Sequence, residues 1–130
     1  MFSILDKNNI EDFESSFLKK EDVESELSNN PFGYYLLYIE DNEVLGYLYY
    51  SDIYERMEIN SFEVNPEFRN KGIGSKLMKE FTENTSKGVT LEVRCNNESA
   101  IHIYKKYGFI EKAKRIGYYD GLDGILMERK

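Results

Sequence analysis

Arg69, Asn70, Lys71, Gly72, Ile73 and Gly74 place two basic side chains and two glycines between a strand-like run ending Phe62-Glu63-Val64-Asn65-Pro66 and a helix-like run from Ser75. The chemistry this arrangement suits is the holding of an anion. The first N–H groups of a helix lack internal partners and sit at the positive end of its dipole. Gly72 and Gly74 carry no side chain to block a phosphate from those groups, and Arg69 and Lys71 add formal charge beside them. The same residues would also serve a plain change of chain direction, and the glycine spacing alone leaves both open. A Walker A loop is excluded, because Gly74 is followed by Ser75-Lys76 in the wrong order. So is a dinucleotide fingerprint, which needs three glycines in the first strand–helix unit.

The elements that must position this turn follow from hydrophobic period. Phe2-Ser3-Ile4-Leu5 alternates as a strand; Ile10, Phe13, Phe17 and Leu18 recur at helical spacing, and Val23 and Leu27 predict a second helical stretch that ends at Asn29-Asn30-Pro31. Residues 35–40 and 44–51, rich in β-branched and aromatic side chains, predict a hairpin turning at Asp41-Asn42-Glu43. Residues 56–65 add a third strand to an antiparallel meander. After the glycine turn, Ile73, Leu77 and Phe81 mark one helix face ending near Asn84, and residues 89–94 alternate as a strand. Asn97 caps a helix through Tyr107, with Gly108 as its left-handed stop. Residues 109–117 and 124–129 close the chain as a last pair of strands. The pattern predicts an α/β sheet with helices packed on it, mixed rather than purely parallel.

Composition narrows the function. A chain of 130 residues with 41% hydrophobic content predicts one globular domain spanning 1–130. No apolar run reaches the roughly 18 residues of a membrane span, and the first residues lack the basic and apolar regions of a signal peptide. One cysteine, Cys95, gives no disulfide framework and reads as a buried or neutral spectator; one histidine, His102, argues against a histidine-rich metal site and falls on an exposed helix side. A cytoplasmic protein without a metal is the expectation. The net charge of −7 disfavours nucleic acid as a partner and suits a basic one.

The run Leu91-Glu92-Val93-Arg94-Cys95-Asn96-Asn97 through Ala100-Ile101, Tyr104 and Gly108-Phe109 resembles the second half of the GNAT (Gcn5-related) N-acetyltransferase family, and residues 69–74 are similar to that family's pyrophosphate loop. With Tyr118-Tyr119 and the ending from Asp123, the likeness is greatest to its ribosomal-protein-alanine N-acetyltransferase (RimI-type) branch. It covers about residues 35–130. It implies a single GNAT-like α/β (α+β) domain, whose mixed, mostly antiparallel sheet of about seven strands is flanked by about four helices. It also implies acetyl transfer from acetyl-CoA to a primary amine in a direct ternary complex.

The resemblance assigns residues to that chemistry. Backbone groups of Phe62, Glu63 and Val64 would run beside the pantetheine arm, and Arg69, Asn70, Lys71, Gly72, Ile73, Gly74 and Ser75 would hold the pyrophosphate. Asn97 would touch the CoA arm. Glu92 matches the general base and Tyr104 the acid that reprotonates the departing thiolate, from beside the cofactor. By period alone Glu92 reads as an ordinary solvated strand position, and Tyr104 as a core residue beside Ala100 and Ile101. The acceptor side is assigned to Phe17 and to Tyr118 and Tyr119, expected in the loop between the last two strands. The RimI-type branch carries a Pro-Trp pair in its first helical region, whereas this chain has no Trp and has Phe17, Leu18 and Lys19 there. A protein or peptide N-terminus, such as that of a basic ribosomal protein, is the implied partner. A small amine, polyamine or lysine side chain is the alternative acceptor, and a non-catalytic acyl-CoA-binding module the alternative class.

Overall fold

In a computed structural model, which describes residues 1–130 with the side chain of Asp12 left aside, seven strands form one sheet. They are β1 (Phe2–Leu5), β2 (Gly33–Glu40), β3 (Glu43–Ile53), β4 (Arg56–Val64), β5 (Gly88–Arg94), β6 (Ile110–Tyr119) and β7 (Leu122–Arg129). Their order is β1-β2-β3-β4-β5-β7-β6. Every neighbouring pair is antiparallel except β4 and β5. Parallel neighbours need a crossover, supplied here by the helix between them. The helices are α1 (Lys20–Asn29), α2 (Ile73–Glu83) and α3 (Glu98–Lys106).

Strand alternation divides the core in two. On one face Leu36, Leu48, Ile59, Leu91, Val93 and Met127 pack against Leu77, Met78 and Phe81 of α2 and Ala100 and Tyr104 of α3. On the other, Tyr35, Leu37 and Tyr49 pack against Val23 and Leu27 of α1 together with Phe13 and Leu18. The helical stretch expected over residues 10–18 is absent: only a single 3-10 turn, Ile10–Asp12, forms. Its apolar residues are anchored all the same, Phe13 and Leu18 being buried under α1. Ser15-Ser16 offers weak helix formers, and the Leu18 N–H donates to Ser15 Oγ at 3.1 Å instead of to a helical carbonyl. Three α-helices and two 3-10 turns, the second at Pro66–Phe68, therefore stand where about four helices were expected.

The sheet is open at its centre. β4 and β5 pair only from Arg56↔Gly88 to Ile59↔Leu91, although β4 runs on to Val64 and β5 to Arg94. The cause lies on the other edge of β4. Between Tyr49↔Ser61 and Tyr50↔Ile59 the register slips, leaving Asn60 as an extra residue. A bulge bends its strand and adds twist, so β4 follows β3 and leaves β5. The resulting gap is the feature around which the rest is arranged.

Candidate active site

On the α2–α3 face the gap widens into a cleft of about 460 Å³, bordered by Phe62, Glu63, Val64, Arg69, Asn70, Gly72, Ile73, Gly74, Ser75 and Asn97, among others. Its floor is the inner edge of β4. The Asn65 N–H donates to the Leu45 carbonyl at 2.8 Å, which fixes the parity of the strand. Alternate residues of an antiparallel strand turn their backbone groups to opposite sides, so Glu63 faces β3 while Phe62 and Val64 turn N–H and C=O into the gap. An extended chain can add there as a strand adds to a sheet edge.

The wall of the cleft is the start of α2. Lys76 N–H makes the first helical bond, to Gly72 O at 3.0 Å, so the N–H groups of Ile73, Gly74 and Ser75 have no helical acceptor. No acidic residue lies in that first turn and no side chain caps it. Gly72 has φ +77°, a left-handed conformation that glycine adopts freely, and a Cβ there would meet nothing within 4 Å. The cap position thus opens directly on the cleft. α3 contrasts with this: Asn97 caps it by accepting from Ala100 N–H, and Glu98 occupies its first turn. Asn97 still borders the cleft. Lys71 does not; its Nζ lies 5.4 Å from the Phe68 ring centre.

Tyr104 sits behind the cleft, not in its lining. It is buried, with its ring 5.8 Å from that of Phe62 and 5.7 Å from that of Phe109. Its hydroxyl has no hydrogen-bond partner among the described residues, and burial pushes its pKa well above the usual tyrosine value. The position beside the cofactor expected of Tyr104 is therefore not in the cleft lining: the side chain packs inward with Ala100 into the core, next to Phe62, which borders the cleft.

Glu92 lies across the sheet. It follows Leu91, the last β5 residue paired with β4, and its neighbours Leu91 and Val93 face the α2–α3 core. Its side chain consequently emerges on the α1 face from a strand that borders the gap, and its carboxylate leans over β7, away from β4. Oε2 is 3.4 Å from Arg115 Nε, while Oε1 is buried without a hydrogen-bond partner. Gly124 of β7 makes room for it: a Cβ there would lie 2.6 Å from Glu92 Oε1 and 3.0 Å from Tyr119 Cε2. Base and acid candidates thus occupy opposite faces and can meet only through the gap.

Tyr118 and Tyr119 close β6 rather than lying in a loop. Asp120 (φ +47°) and Gly121 (φ +93°) turn the hairpin in two residues, the tight turn that matches strand twist, and so the strand extends to Tyr119. Tyr118 is exposed with Arg115 over its ring at 4.8 Å. Burial and the nearby Glu92 raise the Tyr119 pKa. Phe17 borders a second cavity, of about 430 Å³, under α1, with its ring 5.9 Å from that of Tyr47. Cys95 is exposed, not buried, because β5 ends at Arg94 and leaves it in the turn before α3; His102 is exposed, as read.

Several residues at these sites escaped the sequence reading. Arg115, Gly124, Asp22, Glu26 and the tyrosines around Phe17 carry no signal there when taken singly. Tyr35, Tyr47 and Tyr49 carry one as a set, since period 2 on two strands of one hairpin puts them on one face.

Comparison with known proteins identifies the family and the fold. The profile of the Acetyltransferase (GNAT) family matches residues 2–109. A Bacillus subtilis relative, named provisionally as a ribosomal protein bS18-alanine N-acetyltransferase, is 29% identical over 114 residues, covering 83% of this chain and 76% of its own. Three further curated relatives match over about half of this chain, which spans 21%, 48% and 44% of their lengths. The crystal structure of the Escherichia coli ribosomal-protein-S18-alanine N-acetyltransferase superposes with a TM-score of 0.75 over 99% of this chain and 93% of its own, at 21% identity. An Elizabethkingia anophelis GNAT acetyltransferase with acetyl-CoA bound gives 0.77, at 20% identity, over 99% and 97%.

Proposed function

The chain belongs to the Acetyltransferase (GNAT) family, and we propose that it acetylates the α-amine at a protein N-terminus, using acetyl-CoA in a direct ternary complex. The observation that carries this reading is the gap itself, with an anion-holding, strand-accepting cleft on one face and the Glu92 carboxylate on the other. Acetyl-CoA supplies the thioester-activated acetyl group. The residues present suit it: the uncapped first turn of α2 with Arg69 and Asn70 would hold its pyrophosphate, and the free edge at Phe62 and Val64 its pantetheine amides. The Val64 N–H, aimed into the gap, would steady negative charge building on the carbonyl oxygen.

The amine enters from the α1 face. Glu92 accepts the proton that the attacking nitrogen loses as the N–C bond forms, directly or through water. Tyr104 holds the proton that the sulfur needs as the C–S bond breaks. Its raised pKa keeps it protonated across the working range, and Phe62 must let it approach.

The basicity of the acceptor favours an α-amine. With a pKa of about 7.7–8.0, roughly a tenth of it is neutral near pH 7, against a few in ten thousand for a lysine near 10.4. A ribosomal protein is the partner suggested by the relatives' names, and action in the cytoplasm as one 1–130 domain belongs to the same proposal. A small amine or polyamine is the second reading, favoured by the carboxylates beside the gap. The test is thiol release from acetyl-CoA with N-terminal peptides, α-blocked lysine peptides and polyamines. Release with free α-amines supports the proposal; release with polyamines alone replaces it by the second reading.

A further inference from the structure

The cavity under α1 has a composition that acetyl transfer does not require. Asp22 and Glu26 border it from α1 and Glu63 from β4. Asp22 and Glu26 stand at i and i+4, where like charges cost a helix a few tenths of a kcal/mol. None of the ion pairs among the described residues includes any of the three, although Lys19 also borders the cavity.

The other walls are aromatic. Tyr35 stacks on Tyr49 at 4.5 Å and lies 5.6 Å from Tyr47. The Tyr47 hydroxyl donates to Glu63 Oε2 at 3.1 Å, and the Tyr49 hydroxyl accepts from Asn30. Tyr35 is different. It is only 4% exposed, yet its hydroxyl has no hydrogen-bond partner among the described residues, and it borders the cavity facing Asp22 and Glu26. The ring is buried while the unmatched hydroxyl opens on the cavity, which leaves it free to bond a group that is not protein. Tyrosine side chains together with three carboxylates that make no ion pair among the described residues match an organic cation.

We propose that this cavity is a subsite for an alkylammonium group carried by the acceptor, separate from the amine that is acetylated. The proposal rests on the reading that the acceptor approaches on the Glu92 face. Glu63 ties the two places together, since it lies between Phe62 and Val64 on β4 while its side chain turns into the cavity. An acceptor whose reacting nitrogen sits at the gap therefore carries its second cation towards α1. Such a cation can come from a lysine side chain near a peptide N-terminus or from the far amine of a polyamine.

Two measurements test it on the full chain. The first compares kcat/KM for an Ala-Lys and an Ala-norleucine N-terminal peptide in the native protein and in the double variant Asp22→Asn/Glu26→Gln. The subsite predicts about a tenfold preference for Ala-Lys that the variant removes, with the Ala-norleucine rate kept. Equal rates for the two peptides in the native protein overturn it while leaving N-terminal acetylation intact. The second is calorimetric binding of lysinamide, norleucinamide and spermidine in the presence of CoA, which reads the subsite even if no peptide is acetylated. Tighter binding of lysinamide than norleucinamide, lost in the variant, supports the peptide source. Binding of spermidine alone, lost in the variant, supports the polyamine source. No preference for lysinamide or spermidine over norleucinamide overturns the proposal.

Discussion

The two faces of the gap are built from different materials. The cofactor face is made largely of backbone: three free N–H groups at the start of α2 and the unpaired edge of β4. The face proposed for the acceptor is made of side chains, with Glu92 and Arg115 over β5 to β6 and a tyrosine and carboxylate cavity under α1. Backbone recognition depends on where helices and strands begin, so a short motif can encode it. Side-chain recognition depends on which residues a register brings together from distant strands. The first kind suits a co-substrate of fixed chemistry and the second a partner that differs from one enzyme to another.

If the faces divide the work in this way, substitutions on each should change different constants. The largest effect is expected at Glu92. Glu92→Gln should lower kcat about a thousandfold, within the range of proton-transfer catalysis, while acetyl-CoA binding measured by calorimetry stays as it was. Unaltered turnover would remove Glu92 from the reaction and leave the acceptor face without a base.

Tyr104→Phe comes next, with a loss of about a hundredfold in kcat and little change in cofactor affinity. Because burial raises the native hydroxyl's pKa, its protonated form persists and kcat should show no fall from Tyr104 ionisation up to about pH 10. A Phe variant as fast as the native protein would return Tyr104 to core packing.

On the cofactor face, Gly72→Asp should weaken acetyl-CoA binding about fiftyfold relative to Gly72→Asn. The two side chains share shape and tolerance of positive φ, and both can cap α2, so only the charge facing the pyrophosphate differs. Equal affinities would place the phosphates elsewhere.

The smallest effect concerns stability and crosses both faces. Burial raises the pKa of Tyr47 and Tyr50 to about 12, and the Glu63 carboxylate adds to the shift at Tyr47. The folded state therefore keeps protons that the unfolded chain releases near pH 10. Stability from these groups is complete below pH 10 and is lost as pH rises from 10 towards 12, by about 1.4 kcal/mol per pH unit for each tyrosine. Thermal midpoints at pH 9 and pH 11 should differ accordingly, and Tyr47→Phe should shrink the difference. A midpoint that holds through pH 11 would contradict these shifts.

The same division explains what could be read from sequence. The strand–turn–helix at residues 62–83, the cap at Asn97 and the outward alternation of Glu92 are local, and each lies where period and turn chemistry place it. The resemblance implies that Phe62 and Val64 face a bound arm, but the cause of the gap they border is hidden in sequence: the extra residue Asn60 is a matter of register against β3, and no residue type announces it. Residues 10–18 carry helical spacing because their apolar side chains plug the space under α1, which a loop can do as well as a helix. The loop expected at Tyr118 and Tyr119 does not form, because the two residues Asp120 and Gly121 suffice to turn the hairpin and β6 runs on to Tyr119. Arg115 and Gly124 meet Glu92 only because β7 lies between β5 and β6.

The central claim is that an α-amine reaches the thioester through the gap, with Glu92 as its base. It is tested most directly with one peptide that carries both a free N-terminal α-amine and an internal lysine. After incubation with acetyl-CoA near pH 7, fragmentation mass spectrometry locates the acetyl group. The account predicts acetyl on the α-nitrogen, with the lysine unmodified and the product falling sharply in Glu92→Gln. Acetyl on the lysine Nζ alone, or equal product from Glu92→Gln, would contradict it.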